Sequence, residues 1–236
     1  MISVCMATYN GEKYIREQID SILVQLGPND ELIISDDGST DATLSIIGSY
    51  NDARIKLLRN IGKHGVNGNF EHALKHAQGD YIFLSDQDDV WLPGKVSACV
   101  QALQSADLIV HDCCVTDSNL HILHPSFFAM RGSAPGFWKN WFKNSFVGCC
   151  MAFRKEILTY ILPIPTGMTT LHDCWIGLLA EAKGKTAFLP FSGIRFRRHE
   201  QNTSRTASES KFSLSSRIGC RIGLLRSVLK RIFLKK

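Results

Sequence analysis

Through the first third of the chain, apolar runs alternate with stretches in which apolar residues return at helical spacing. Ile2-Ser3-Val4-Cys5-Met6-Ala7 has the continuous apolar character of a buried strand. Ile15, Ile19, Ile22, Leu23 and Leu26 then recur every three to four residues, the spacing of one helix face. Glu31-Leu32-Ile33-Ile34-Ser35 predicts a second strand. The turn cluster after it, Asp36-Asp37-Gly38-Ser39-Thr40, carries side chains suited to capping a following helix. A third strand is expected over 54–59 and a third helix from about 67 to 77. Gly79 separates that helix from Tyr81-Ile82-Phe83-Leu84, a fourth strand that runs into Ser85-Asp86-Gln87-Asp88-Asp89-Val90-Trp91. Beyond residue 105 the pattern loosens to a strand near 107–111, an aromatic-rich loop around 127–142 and a helix over 173–182.

Strands that alternate with helices imply right-handed crossovers and a mainly parallel sheet covered by helices on both faces, an α/β fold. Ligands of such sheets sit beyond the carboxyl ends of the strands. Thr8-Tyr9-Asn10, Asp36-Asp37 and the segment from Asp86 to Asp89 each follow a strand, so all are expected on one rim.

Composition fits a single globular domain: 236 residues, 44% hydrophobic and 21% charged. The net charge of +5 arises from the end of the chain, because residues 211–236 hold eight Lys and Arg and no acid; the remainder is mildly acidic. The eight cysteines include two adjacent pairs and form no C-x-x-C, so buried thiols in a reducing compartment are expected rather than disulfides or zinc. The opening segment has neither a charged n-region nor a long apolar h-region, so a secretory signal is not expected and the chain is read as cytoplasmic.

Asp86-Gln87-Asp88-Asp89 is the sharpest chemical feature. Carboxylates crowded at a strand end repel one another unless a cation neutralises them, and Mn²⁺ or Mg²⁺ suits a short acidic loop that leaves positions for water and phosphate. Taken alone, Asp37 and Asp173 read as helix-capping residues and His172 as a surface histidine.

Ala7-Thr8-Tyr9-Asn10-Gly11, Ile34 to Asp41, Gly79-Asp80-Tyr81, Asp86 to Trp91, His172-Asp173 and Arg197-Arg198-His199, in this order and spacing over roughly 2–204, resemble the inverting glycosyltransferase family 2, with its GT-A fold, and in particular its bacterial rhamnosyltransferase-type members. The resemblance implies a nucleotide-sugar donor site. Ala7, Tyr9 and Asp37 would meet the base, with Thr8 in the same motif; Asp86 or Asp88 would approach the ribose, and Asp88 and Asp89 the metal and diphosphate. The acidic motif aligns in more than one register, so Asp86, Asp88 and Asp89 all remain candidates for the direct ligand. Asp173 takes the place of the catalytic base. Arg197 and His199, followed by Asn202, resemble the Arg-x-His-x-x-Asn loop expected over the diphosphate, although Glu200 replaces the usual glycine. Implied substrates are a nucleoside-diphosphate sugar and a lipid-linked or oligosaccharide acceptor of surface polysaccharide synthesis, O-antigen or capsule. The subfamily suggests thymidine-diphosphate rhamnose, and uridine-diphosphate hexoses stay open.

A catalytic domain over 1–205 is thus expected to precede a basic tail over 206–236. There Ile218, Ile222, Leu225, Leu229 and Ile232 interleave with Arg217, Arg221, Arg226, Lys230 and Arg231, the pattern of an amphipathic helix. An anionic membrane surface on the inner face of the cell membrane is its expected partner, ahead of packing on the domain; nucleic acid is disfavoured by the acidic body. Trp138 and Trp141 are expected in core packing rather than stacked on an acceptor. Among rival functions, a non-catalytic nucleotide-sugar-binding module has no need of Asp173, and an oxidoreductase would need the G-x-G-x-x-G that is missing after the first strand. A phosphate-loop NTPase fails because Leu179 stands where the first glycine before Gly184-Lys185-Thr186 belongs.

Overall fold

A computed structural model describes residues 1–168, 170–200, 202 and 214–234, with side chains in the last helix described from 218 to 233. The order of elements is β1 (Ile2–Thr8), α1 (Ile15–Leu23), β2 (Glu31–Asp36), α2 (Thr43–Gly48), β3 (Ile55–Arg59), α3 (Val66–His76), β4 (Tyr81–Asp86), β5 (Val90–Trp91), α4 (Lys95–Ala102), β6 (Leu108–Thr116), β7 (Ile122–His124), α5 (Phe127–Arg131), α6 (Phe137–Phe142), β8 (Met151–Arg154), α7 (Leu158–Ile161), α8 (His172–Lys183), β9 (Thr186–Arg197) and α9 (Leu214–Leu234).

All strands join one sheet in the order β3-β2-β1-β4-β8-β6-β9-β5, with β7 on β6. The half built from β3, β2, β1 and β4 is parallel, as the alternation predicts. In the other half β8 runs antiparallel to both β4 and β6, and β9 parallel to β6. β2 is buried along its whole length, which explains its unbroken apolar run. The register sets Ala7 between Ser35 and Asp86, and Thr8 beside Asp36, so the polar residues reach the same rim.

The second half was less visible because its elements lack periodicity. β9 spans Thr186–Arg197 and, together with β5 and β8, was not expected; the aromatic stretch forms α5 and α6 rather than a loop. Trp141 is half-buried and donates from Nε1 to the Arg221 carbonyl at 2.9 Å, whereas Trp138 is 66% exposed and so is not core. Seven cysteines are buried and Cys220 is half-buried, and all eight are free.

α9 is docked on the domain. Leu224 and Val228 are buried, and Arg231 donates to the carbonyls of Tyr160, Leu162 and Pro163 while lying over the Trp175 ring. Arg221 bonds the Trp141 carbonyl. Arg221 and Arg231, counted in the sequence toward a lipid-facing basic side, are therefore used in attaching the helix. The expected junction at 205/206 lies outside the described residues.

Candidate active site

Asp36 organises the first part of the rim. Its carboxylate accepts from the backbone N–H of Gly38 and Ser39, from the Ser39 hydroxyl and from Thr8 Oγ1, which closes the turn after β2. Thr8 is thereby buried between strands and supports the rim instead of facing a ligand, unlike the donor-contact role implied for it. Asn10 adopts a left-handed backbone with φ of 48°, and its Oδ1 receives the Thr40 N–H. Gln87 holds Tyr9 through two bonds, accepting from its N–H at 2.9 Å and donating to its carbonyl at 3.0 Å, which leaves the Tyr9 ring exposed. Asp37 does not cap α2. It accepts from Asn60 Nδ2 and the Gly65 N–H, with His64 Nδ1 at 2.9 Å, and ties the β2 end to the loop before α3.

The acidic loop has three distinct members. Asp86 ends β4 beside Ala7, with its carbonyl and the preceding Ser85 hydroxyl both bonded by Gln18 Nε2 at 2.8 Å. Burial, followed by the charges of Asp89, Asp88 and Asp173, raises its pKa well above the carboxylate range. Asp88 places Oδ2 2.8 Å from His199 Nε2 and 3.0 Å from Asn202 Nδ2. Asp89 is fully buried: Oδ1 accepts the Arg197 N–H at 3.0 Å, and Oδ2 has no partner. Burial and then Asp88 push its pKa up, opposed by the Arg197 N–H and the Cys149 thiol. Ligand atoms of Asp86, Asp89 and Cys149 lie within 4.8 Å of one another.

Arg197 departs from its expected place over the diphosphate. It is 3% exposed, donates from Nε to the Asp88 carbonyl and from a terminal nitrogen to the Ser118 carbonyl, pairs with Glu17, and lies 4.5 Å from the Tyr14 ring centroid. All three guanidinium nitrogens are engaged, so from the end of β9 it ties the acidic loop to α1. Lys95, also buried, donates to the Cys149 carbonyl at 2.8 Å and lies over Trp91.

Asp173 stands in the first turn of α8, whose N-cap is Leu171, so it is not a cap. Oδ1 accepts the Cys174 N–H at 2.6 Å, and burial raises its pKa to about 6 against the backbone bonds of Cys174 and Gly148. Its charge also acts on Asp86, so the first turn of α8 lies within electrostatic reach of the end of β4. His172 is buried rather than on the surface: it stacks on Phe70 at 3.9 Å, neither ring nitrogen has a partner, and burial lowers its pKa to about 3. A side chain at Gly148 would strike its ring, with a Cβ only 2.7 Å from Nε2.

The structure thus gathers Asp86, Asp88, Asp89 and His199 in one cluster, with Ala7 at its strand register and Asp173 within electrostatic reach. Tyr9 is joined to it through Gln87, and Asp37 turns toward the base of α3. Sequence reasoning missed Gln87, Glu17, Lys95 and Cys149 as supports. Only Gln87 had a local signal, its place inside the acidic motif.

The model for Glycosyl transferase family 2 matches residues 3–162. The chain is 28% identical over 183 residues, 77% of its length and 70% of the relative's, to the Escherichia coli UDP-Glc:alpha-D-GlcNAc-diphosphoundecaprenol beta-1,3-glucosyltransferase WfgD. It is 28% identical over 214 residues, 84% of its length and 72% of the relative's, to the Shigella flexneri dTDP-rhamnosyl transferase RfbG. Among solved structures it resembles S. aureus TarS 1-349 in complex with UDP-GlcNAc, with a TM-score of 0.69 at 17% identity over 100% of this chain and 73% of that one. It also resembles Mycobacterium tuberculosis glucosyl-3-phosphoglycerate synthase bound to Mn²⁺, UDP and glucosyl-3-phosphoglycerate, with a TM-score of 0.59 at 19% identity over 98% and 79%. The chain belongs to glycosyl transferase family 2; it is a glycosyltransferase with the GT-A fold.

Proposed function

We propose that this glycosyltransferase moves a sugar, with inversion, from a nucleoside-diphosphate donor to a hydroxyl of a lipid-linked glycan, in surface polysaccharide synthesis at the cytoplasmic face of the membrane. The observation that carries the reading is the approach of a buried carboxylate with raised pKa, Asp173, to an acidic rim formed at the ends of β1 and β4. Both curated relatives are named for nucleotide-sugar donors, UDP-Glc and dTDP-rhamnose, and WfgD for a diphosphoundecaprenol acceptor. The choice between those donors is open to a panel of nucleotide sugars tested by thermal shift.

Mn²⁺ or Mg²⁺ fits the residues present. Asp88 and His199 offer a carboxylate oxygen and an imidazole nitrogen side by side, and the unpartnered Asp89 Oδ2 lies in a crowd of like charges that a cation would relieve. Asp88 and His199 would hold the ion, with Asp86 beside them and Asp89 anchoring the loop beneath. Bound there, the ion would stabilise charge on the departing diphosphate. Ala7, Tyr9 and Asp37 would line the nucleotide side. Asp173 would accept the acceptor hydroxyl's proton as that oxygen attacks the anomeric carbon from the face opposite the leaving group.

Thermal shift with Mn²⁺ and nucleoside diphosphate tests the metal assignment. Asp88→Ala and His199→Ala should each raise the Mn²⁺ concentration for half-maximal stabilisation by at least ~10-fold. Stabilisation that is the same in both variants, or the same in excess chelator, refutes it.

A further inference from the structure

The face of α9 turned away from its docking side is apolar as well. At ~3.6 residues per turn, Ile218, Ile222, Leu229 and Phe233 fall within an arc of about 60°, with Arg226 about 20° and Lys230 about 60° beyond one edge of it. Leu224 and Val228, which attach the helix, lie on the other side. All four apolar residues of the outer row are exposed, Phe233 at 71%.

A second element with exposed aromatic side chains is attached to the same helix. α6 is joined to α9 where Trp141 Nε1 meets the Arg221 carbonyl and Arg221 meets the Trp141 carbonyl. On either side of Trp141, Trp138 and Phe142 are exposed at 66% and 72%, and the Arg221 guanidinium lies 6.0 Å from the Phe142 ring centroid. Lys139, exposed on the same short helix, and Lys143, exposed just past its end, add positive charge. Neither stretch holds an acid, since no Asp or Glu occurs over 118–155 or over 210–236.

We infer that α6 and the outer row of α9 form one surface that seats the enzyme on an anionic bilayer. The inference deepens the proposed use of a lipid-linked acceptor by giving the catalytic domain itself a contact with the membrane. Large aromatic side chains mixed with Lys and Arg and free of acids match the interfacial zone of a bilayer, where the rings enter the headgroup boundary and the cations meet phosphate. No described helix is long and apolar enough to cross a membrane, so the contact is a seat on one leaflet. This differs from an amphipathic tail acting alone in that α6, which belongs to the folded domain, shares the load. A folded protein partner would have to cover the same aromatic residues, and the test separates that case.

Flotation of the full chain with phosphatidylcholine vesicles, with and without phosphatidylglycerol, reads the surface directly. The wild type should float with the anionic vesicles. Trp138→Ser with Phe142→Ser, both at exposed positions, should lower partitioning at least ~10-fold. Arg226→Gln with Lys230→Gln should lower it roughly fivefold per charge on anionic vesicles and leave neutral ones unaffected. An aromatic double variant that floats like wild type, a wild type that floats with neither vesicle, or a soluble dimer dissolved by the aromatic substitutions would each overturn the inference. Donor hydrolysis measured on the same samples keeps the two proposals apart. Protein that floats but uses no nucleotide sugar refutes the transfer reading and leaves this surface standing.

Discussion

Replacing Asp173 with Asn should separate donor binding from transfer. The carboxylate is pushed up to about 6 because burial outweighs the backbone N–H groups it accepts. A base with that value is about one-tenth ionised at pH 5 and about nine-tenths at pH 7, so kcat/KM of the wild type should rise about tenfold over this interval and then level. The sign follows from the role, since only the ionised form accepts a proton. A donor diphosphate esterified at both ends does not ionise in this range, so the limb belongs to the enzyme. Asp173→Asn keeps the acceptor for the Cys174 N–H but has no basic oxygen, and should lose ~10²–10⁴ in kcat while the donor KM changes little. Initial rates of nucleoside diphosphate release with acceptor, measured from pH 5 to 8 for both proteins, give the answer. A wild-type profile that is flat between pH 5 and 7, or a variant that keeps more than about a tenth of the rate, refutes Asp173 as the base.

Arg197→Ala removes four attachments at once, to Glu17, the Tyr14 ring and the carbonyls of Asp88 and Ser118, and should cost about 3–5 kcal/mol, lowering Tm by on the order of 10 °C in a thermal melt. A cost below about 1 kcal/mol would show that the guanidinium is free for the donor after all. In the native protein at most one thiol, Cys220, should react quickly with a disulfide reagent, and all eight should react after denaturation; two or more fast thiols would contradict the burial of the rest.

What the sequence reveals and conceals follows from the range of the forces involved. β1, β2 and β4 are covered on both faces, so their apolar runs are continuous and readable, and the polar residues that follow them must fall on one rim because neighbouring parallel strands share direction. Burial of His172 was not readable, since it depends on Phe70, a hundred residues earlier in the chain, and on a Gly148 that leaves room for the ring. Arg197 misled for the same reason. A basic residue in a resemblance to a diphosphate loop looks like an anion ligand until Glu17 and two carbonyls are found around it.

α9 combines both cases. Its apolar periodicity announced a helix, but a helix with apolar residues on two sides has no single face to assign, and only the contacts of Leu224, Val228 and Arg231 show which side is taken. That choice bears on the site as well. α8 carries Asp173 at its first turn and packs against α9, so the helix that presents the outer apolar row also braces the one that positions the proposed base. A substitution that undocks α9, such as Val228→Asp, should therefore disturb transfer even in solution, where no membrane is present, whereas changes confined to the outer row should leave transfer to a soluble acceptor intact. On the proposed reading, the two faces of one helix would thus divide support of Asp173 from contact with the lipid surface.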